Sequence, residues 1–437
     1  MKKVVKKIAL LLIVFGIGVG VTLYTNNKYK VYDEEEPKQI MKHVDTISMM
    51  IETEAKSGNY EMTTRESWPT EGYVFNSELS KCENGGELSW DDTNKRVVMS
   101  GNVSDKCYVY FDVYVPPTIA DFCSSGDTLA TCVKNFGDQG SEISSIYIHN
   151  SSLTNGAGDN SYRYSGANPN NYVCFGSNES TCPTDNLYRI IGVFGNNVKL
   201  IKYDYGTTDE LGTDGDYYET YKEWGMNSTY KGTYGDGERI GVYYWNKSTK
   251  KNTWSESLLN KTNLNTNFIN NIGMEWANKI ATTTWKVGGN TDANIGTSVP
   301  ATAYQNEIVH PVTTNTTDNK TEYTAKIGLM YVSDYGFAAE PSAWTLTMES
   351  YNDATATSTN WMYMGLYDWT ISRNADNSNR AFFVNSAGYV LYYFVYNYGL
   401  YGGDVSYNNG VRPSFNLLSS ITYVSGSGSA SDPMVIN

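Results

Sequence analysis

Six cysteines are the most reactive side chains of this sequence, and all of them lie between Cys82 and Cys182. They fall into neighbouring couples: Cys82 with Cys107, Cys123 with Cys132, Cys174 with Cys182. Six cysteines allow many connectivities; the sequential one closes short loops and is the simplest. A zinc centre is the rival use, but no C-x-x-C couple exists and no histidine sits at ligand spacing, so no metal is expected. Of the three histidines, His43, His149 and His310, only His310 falls in the C-terminal half, and nothing there pairs it with a nucleophile and an acid. Glu275, Asp334 and Asp368 could supply a carboxylate pair for glycoside hydrolysis, yet sequence spacing brings no two of them together. Asp209, Glu210, Asp214 and Asp216 form an acidic loop with oxygens to offer calcium, without EF-hand spacing. Gly195-Asn196-Asn197 is a hairpin turn and not a phosphate loop. No cofactor is expected, and an enzyme is the weaker reading.

The residues that stand out instead are tyrosines and amides. Asn385 to Asn409 reads NSAGYVLYYFVYNYGLYGGDVSYNN. Tyrosine gives large amphipathic contact area while freezing few torsions, and Ser, Gly and Asn give adaptable hydrogen bonds, which together suit a binding face. The candidate contact residues are Tyr389, Tyr392, Tyr393, Tyr396, Asn397, Tyr398, Tyr401, Asp404, Tyr407 and Asn408, flanked by Asn374, Asp376 and Asn379. The plainer explanation is a tyrosine-rich antiparallel sheet stabilised by cross-strand aromatic pairs. Trp361 and Trp369 read as core.

The elements that must carry these residues follow from composition and pattern. The chain has 437 residues, 37 tyrosines, 39 glycines and a formal net charge of −14. That length implies more than one core, and so acidic a chain repels phosphate backbones, so nucleic acid is not an expected partner. Ile8 to Tyr24 is apolar, with Lys2, Lys3, Lys6 and Lys7 before it and the acidic run Asp33 to Glu36 after it. Residues 1–24 therefore read as a single-pass anchor in a bacterial cell membrane, N-terminus inside and bulk outside. A cleaved signal peptide is the alternative, but Leu23-Tyr24-Thr25-Asn26 lacks a small-x-small site.

Ile40, Met41, Val44, Ile47 and Ile51 recur at helical spacing, so residues 25–58 read as a stalk helix ended by Gly58-Asn59. Residues 59–115 read as a small β-domain stapled by Cys82 and Cys107, and Pro116-Pro117 marks its end. Residues 116–186 read as a loop-rich connector tied by the other two bridges. From residue 187 the pattern is strand, Gly195-Asn196-Asn197 turn, strand. A helical region follows, opened by Thr253-x-x-Glu256 as a capping box and continued through Trp276, Ile280 and Trp285.

From Leu187 onward the chain resembles the C-type-lectin-like domains of the formylglycine-generating-enzyme type, as in exported surface proteins of gut Firmicutes. The likeness is carried by Tyr188-Arg189-Ile190-Ile191-Gly192, by Trp254-Ser255-x-Ser257-x-Leu259 with Leu264-Asn265, by Lys326 through Gly336, by Trp369 through Arg373, and by Gly410-Val411-Arg412-Pro413-Ser414-Phe415-Asn416-Leu417. The resemblance implies an α+β class for residues 187–437, with Arg412 structural and paired to a buried acceptor. The family's formylglycine-generating activity needs a cysteine pair in this domain, and no cysteine follows Cys182. The same fold type carries the variable proteins of diversity-generating retroelements, in which adenine-directed mutagenesis rewrites a C-terminal patch. Mutating the first two positions of AAC or AAT codons cannot yield Lys, Glu, Gln, Met or Trp, and none of these occurs from Thr370 through Pro433.

The expectation is a surface protein with a membrane anchor, a disulfide-stapled β-module and a C-type-lectin-like display domain. Its partner would be a protein or glycan ligand outside the cell. A pilin-like structural component and a cell-envelope hydrolase are the rivals.

Overall fold

The computed structural model describes residues 46–101, 105–224, 229–311, 321–352, 354–394 and 409–437. The class is mixed α+β, dominated by sheets, and the chain divides between Pro116 and Pro117 into two compact units. Among the described residues no helix is long and apolar enough to cross a membrane; the anchor expected over residues 1–24 lies outside them.

The first unit holds β1 (Thr46–Glu52), β2 (Tyr60–Met62), β3 (Tyr73–Cys82), β4 (Glu87–Asp91), β5 (Arg96–Ser100) and β6 (Lys106–Val113). Its main sheet runs β2-β1-β6-β3, with β1 parallel to β6, and β4 and β5 form a separate hairpin. Along β6 Cys107, Val109 and Phe111 are all fully buried, the period-two pattern of a strand with one face on a core. Residues 46–52 correct the stalk-helix expectation. Ile47, Met49 and Ile51 also alternate, and β6 offers the backbone a complete hydrogen-bonding edge, so long-range pairing overrides a pattern that fits both periods. Gly58 sits at φ +67° and turns the chain from β1 into β2. It is a hairpin bend, and no helix ends there. Glu52 closes that bend, accepting from the N–H groups of Gly58 and Val113, each at 3.0 Å.

The second unit opens with α1 (Leu129–Gly137), then β7 (Ile146–Ile148), β8 (Tyr162–Tyr164), β9 (Tyr172–Cys174), β10 (Leu187–Phe194) and β11 (Asn197–Lys202). The segment read as a connector is therefore part of the fold. It supplies three strands to a seven-stranded sheet, because β10 needs partners on its far edge. The β10–β11 hairpin turns at Gly195, φ +62°, as its sequence predicts. Next come β12 (Tyr217–Thr220), β13 (Gly241–Tyr243), a π-wound helix over Leu259–Phe268, β14 (Thr283–Lys286), β15 (Glu322–Ala325), β16 (Ile327–Gly328) and α2 (Val332–Ala338). The chain ends in β17 (Asp368–Arg373), β18 (Arg380–Val384), β19 (Val390–Phe394), β20 (Ser414–Asn416), β21 (Tyr423–Ser425) and β22 (Val435–Ile436). The large sheet runs β16-β20-β11-β10-β8-β7, and β17-β18-β19 form a sheet of their own. The Thr253 capping box does not start the π-wound helix. Its N-cap is Leu258, next to Ser257, whose Oγ accepts from Asn260 N–H at 3.2 Å, and Trp285 lies on β14 rather than on a helix.

The three disulfides join Cys82 to Cys107, Cys123 to Cys132 and Cys174 to Cys182. The first lies across β3 and β6 at a directly paired position.

His149 shows how tightly the second unit is closed. Its ring is fully buried, 4.7 Å from the Phe337 ring and 5.1 Å from that of Trp344, and its Nδ1 accepts from Ala157 N–H at 3.0 Å. Burial, helped by the nearby Arg163, holds this imidazole down at about 2 against an ordinary 6.5. Below pH 6.5 the unfolded chain binds a proton that this folded imidazole refuses, so its contribution to stability falls with pH by about 1.4 kcal/mol per pH unit. Glu307, raised by burial to about 7, acts with the opposite sign in the same window, so the effect is read as a difference between two chains. In denaturant unfolding from pH 7.5 down to pH 5 the parent is expected to lose stability relative to His149→Gln, which keeps an acceptor for Ala157; parallel pH profiles of the two would assign the acid sensitivity to another group.

Candidate functional site

The tyrosine-rich stretch is gripped at both ends by groups of the core. On its N-terminal side, β17 is buried along its whole length, β18 pairs with it, and β19 pairs with β18 from Val384↔Val390 to Arg380↔Phe394. The turn into β19 is closed by Asn385, whose Oδ1 accepts from the N–H groups of Ala387 and Tyr389, both at 3.0 Å. Tyr335 Oη donates to Gly388 O at 3.0 Å and Tyr363 Oη to Ser386 O at 2.6 Å, fastening the same turn from below. Residues 395–408 lie outside the described residues.

The chain returns at Asn409, fully buried, whose backbone exchanges hydrogen bonds with Tyr243 at 3.0 and 3.2 Å. Gly410 N–H donates to Tyr367 O and Gly410 O accepts from Trp369 N–H. A Cβ on Gly410 would sit 2.4 Å from the Tyr205 ring, so only glycine fits between that ring and the backbone of β17. Two residues on, Arg412 Nε lies 2.5 Å from Asp368 Oδ2 and its Nη2 donates to Met362 O at 2.8 Å, with both partners of the pair 2% exposed. Burial pushes the Asp368 carboxyl upward and the Arg412 guanidinium pulls it back down. Arg412 thus has the structural role, and the buried acceptor, expected of it.

The predicted contact residues divide into three groups. Asn374 is 1% exposed, and its Oδ1 accepts from the N–H groups of Asp376 and Asn377 while its amide donates to Asp292. It is an Asx turn that ends β17, so the expectation that it meets a ligand is corrected: the tight turn uses its side chain. Asp376 is exposed, and Asn379 and Tyr389 are half-buried, Tyr389 Oη accepting from Asn352 at 2.9 Å. Tyr392 and Tyr393 lie on β19 opposite Phe382 and Ala381. Tyr396, Asn397, Tyr398, Tyr401, Asp404, Tyr407 and Asn408 lie outside the described residues. Trp361 and Trp369 are core, 3% and 1% exposed.

Of the carboxylates weighed for catalysis or calcium, Asp209 is exposed and the following have protein partners. Glu275 is exposed and accepts from Asn178. Asp216 is buried against the N–H groups of Lys247 and Leu259, Glu210 caps Thr207, and Asp214 accepts from Asn267.

A second feature escapes the sequence pattern: a cavity of about 210 Å³ on the large sheet, lined among others by Phe194, Lys199, Trp285, Tyr304, Tyr331 and Asp334. Lys199 Nζ meets Asp334 Oδ2 at 2.5 Å and lies 4.3 Å from the Tyr331 ring centre and 5.3 Å from that of Trp285. Arg163 bonds Asp159 at 2.8 Å, reaches Asp334 Oδ1 at 3.6 Å, and packs on the Phe194 ring. Glu307, 1% exposed, accepts from the N–H groups of Val332 and Ser333, each at 3.1 Å, and from Ser372 Oγ. Burial raises Glu307 to about 7 and lowers the Lys199 ammonium. The signal that points to this cluster is Lys199 itself, a cation inside the run Val198-Lys199-Leu200-Ile201, where both faces of a central strand are buried.

Comparison with family models, with curated proteins and with solved structures finds no match to this chain. Its function is therefore read from the residues described above.

Arg412→Ala would strand the Asp368 charge in the core and is expected to lower unfolding stability by about 3–5 kcal/mol. The double change Arg412→Met with Asp368→Leu is expected to recover most of that loss. Urea melts of the three chains measure both effects, and a single variant as stable as the parent would remove the pair from the frame.

Proposed function

We propose that this chain is a bacterial surface protein that binds a protein or glycan outside the cell through the segment Tyr389 to Asn409. Residues 1–24 would hold it in the membrane, and a C-type-lectin-like frame would carry the segment. The observation that carries the reading is the double grip on that segment: Asn385, Tyr335 and Tyr363 fix its entry, and Tyr243, Tyr367, Trp369 and Asp368 fix its exit. None of these groups belongs to the segment itself. Between the two grips the sequence offers Tyr, Asn, Gly, Ser, Asp, Val, Leu and Phe, a set suited to adaptable contact. Loops held on rigid frames are where proteins concentrate recognition.

The membership of that set is also what adenine-directed rewriting of AAC and AAT codons produces. Diversification of the segment is part of the proposal.

Two measurements test it. Sequencing the locus across isolates is expected to find replacements concentrated in codons 389–409, with a near-copy of the stretch close by. An identical stretch in every isolate sinks the diversification. Separately, the full chain in detergent is applied to a glycan array and to a panel of cell-surface proteins. Changing Tyr396, Tyr398, Tyr401 and Tyr407 together to serine is expected to weaken any captured ligand by at least tenfold, about 1.4 kcal/mol, while leaving the melting transition in place. A variant that unfolds places these tyrosines in a core and defeats the reading.

A further inference from the structure

We infer that Lys199 and Asp334 condense to an intramolecular isopeptide bond, which ties the centre of β11 to the start of α2. The geometry is that of a poised amine and carboxyl. Nζ and Oδ2 are in contact at 2.5 Å, and the two side chains are 5% and 2% exposed. Three rings, those of Phe194, Trp285 and Tyr331, stand within 6 Å of the nitrogen. A third buried carboxyl is at hand: Glu307 accepts from Val332 and Ser333, the residues just before Asp334, and acts electrostatically on Lys199 and Asp334 alike. In the pair of buried Lys202 with Glu210, by contrast, the glutamate is spent on capping Thr207 and the third acid nearby, Asp185, is taken by Arg239.

The step balances without an added reagent. The reaction starts with transfer of one proton from the ammonium to the carboxylate, giving a neutral amine and a carboxylic acid. The nitrogen lone pair attacks Cγ. The negative charge that develops on Oδ1 faces Arg163 Nη1, 3.6 Å away. Glu307 in its ionised form takes a proton from the nitrogen and returns it to the departing Oδ2 hydroxyl. The C–O bond breaks, water leaves through the adjoining cavity, and Glu307 is regenerated. One amide and one water have formed from one amine and one acid. Two buried charges disappear in the process, so the desolvation that burdens the ion pair favours the product. Lys199 as the nucleophile and Asp334 as the acceptor are the reacting groups; Glu307 carries protons and Arg163 positions the carbonyl.

Such a bond would give the second unit the long-range tie that its disulfides lack. Cys123–Cys132 and Cys174–Cys182 span 9 and 8 residues, whereas Lys199 and Asp334 are 135 apart.

Mass spectrometry of the full chain tests the bond directly. After reduction and trypsin digestion, a branched peptide is expected that joins Ile190–Lys202, uncut at Lys199, to Ile327–Arg373, lighter by one water than the two together. Recovering the two peptides only as separate species, with cleavage after Lys199, overturns the proposal. Glu307→Gln is expected to yield mostly the unlinked peptides from a protein whose circular dichroism matches the parent. Linkage at the parental level in that variant removes Glu307 from the reaction. Should the variant fold poorly, the digest of the unmodified chain still distinguishes linked from unlinked protein.

Discussion

The second unit is governed by a simple electrostatic constraint: cations have been placed inside it, and each must find a fixed acceptor. Arg163, Arg189, Lys199, Lys202 and Arg412 are all buried. An unpaired charge in such surroundings costs about 3–5 kcal/mol, a large part of the roughly 5–15 kcal/mol by which domains are stable. The acceptors come from far along the chain. Lys199 finds Asp334, Arg412 finds Asp368 and Met362 O, and Arg189 bonds Asn171, Pro169 O and Trp361 O. β10 and β11 form by local hairpin pairing, but they can be buried only when β17, α2 and the segment around Trp361 arrive with the matching oxygens. The charges therefore select one closed arrangement, and a partly assembled sheet is penalised.

Tyrosine serves this frame in a way that composition conceals. Several of the largest buried side chains are tyrosines, and their hydroxyls donate to backbone carbonyls: Tyr205 to Leu366, Tyr221 to Tyr367, Tyr243 to Gly212, Tyr351 to Gly336. Each ring fills core volume while its hydroxyl satisfies a loop oxygen that would otherwise be buried without a partner. A chain that must hold long polar loops against a sheet can use this residue repeatedly. Much of the tyrosine content outside the stretch Asn385 to Asn409 is therefore structural.

What is legible in the sequence is what local chemistry decides. The Gly195 hairpin, the break at Pro116-Pro117 and the sequential cysteine pairing depend on residues close together along the chain. The structural role of Arg412 is legible in its motif, whereas its partner Asp368, far along the chain, is not. The failures are long-range. Residues 46–52 carry apolar positions that suit a helix and a strand equally, and only β6, more than fifty residues away, decides between them. In residues 116–186 the strands are three residues long, too short to display a pattern, whereas α1 does carry helical spacing in Leu129, Cys132, Val133 and Phe136 that the connector reading passes over. Asn374 reads as a contact residue because asparagine suits exposed loops and Asx turns alike, and the turn claims it.

A segment whose side chains can change without loss of the fold must be held by groups that do not change with it. The bonds at its two ends meet that demand in different ways. On the exit side the grip is made through the backbone of Asn409 and Gly410, and backbone bonds are indifferent to the side chains that precede them. Gly410 is locked by the Tyr205 ring, and beyond it Arg412 is committed to a pair that costs several kcal/mol to break. On the entry side β19 is hydrogen-bonded through its main chain to β18, while the turn before it is closed by Asn385 and by tyrosines rooted in other elements. The described bonds that hold the two ends of the segment are thus made by groups outside residues 395–408. On the proposed reading, that placement is what a recognition segment requires, its ends being held by backbone pairing and buried charge.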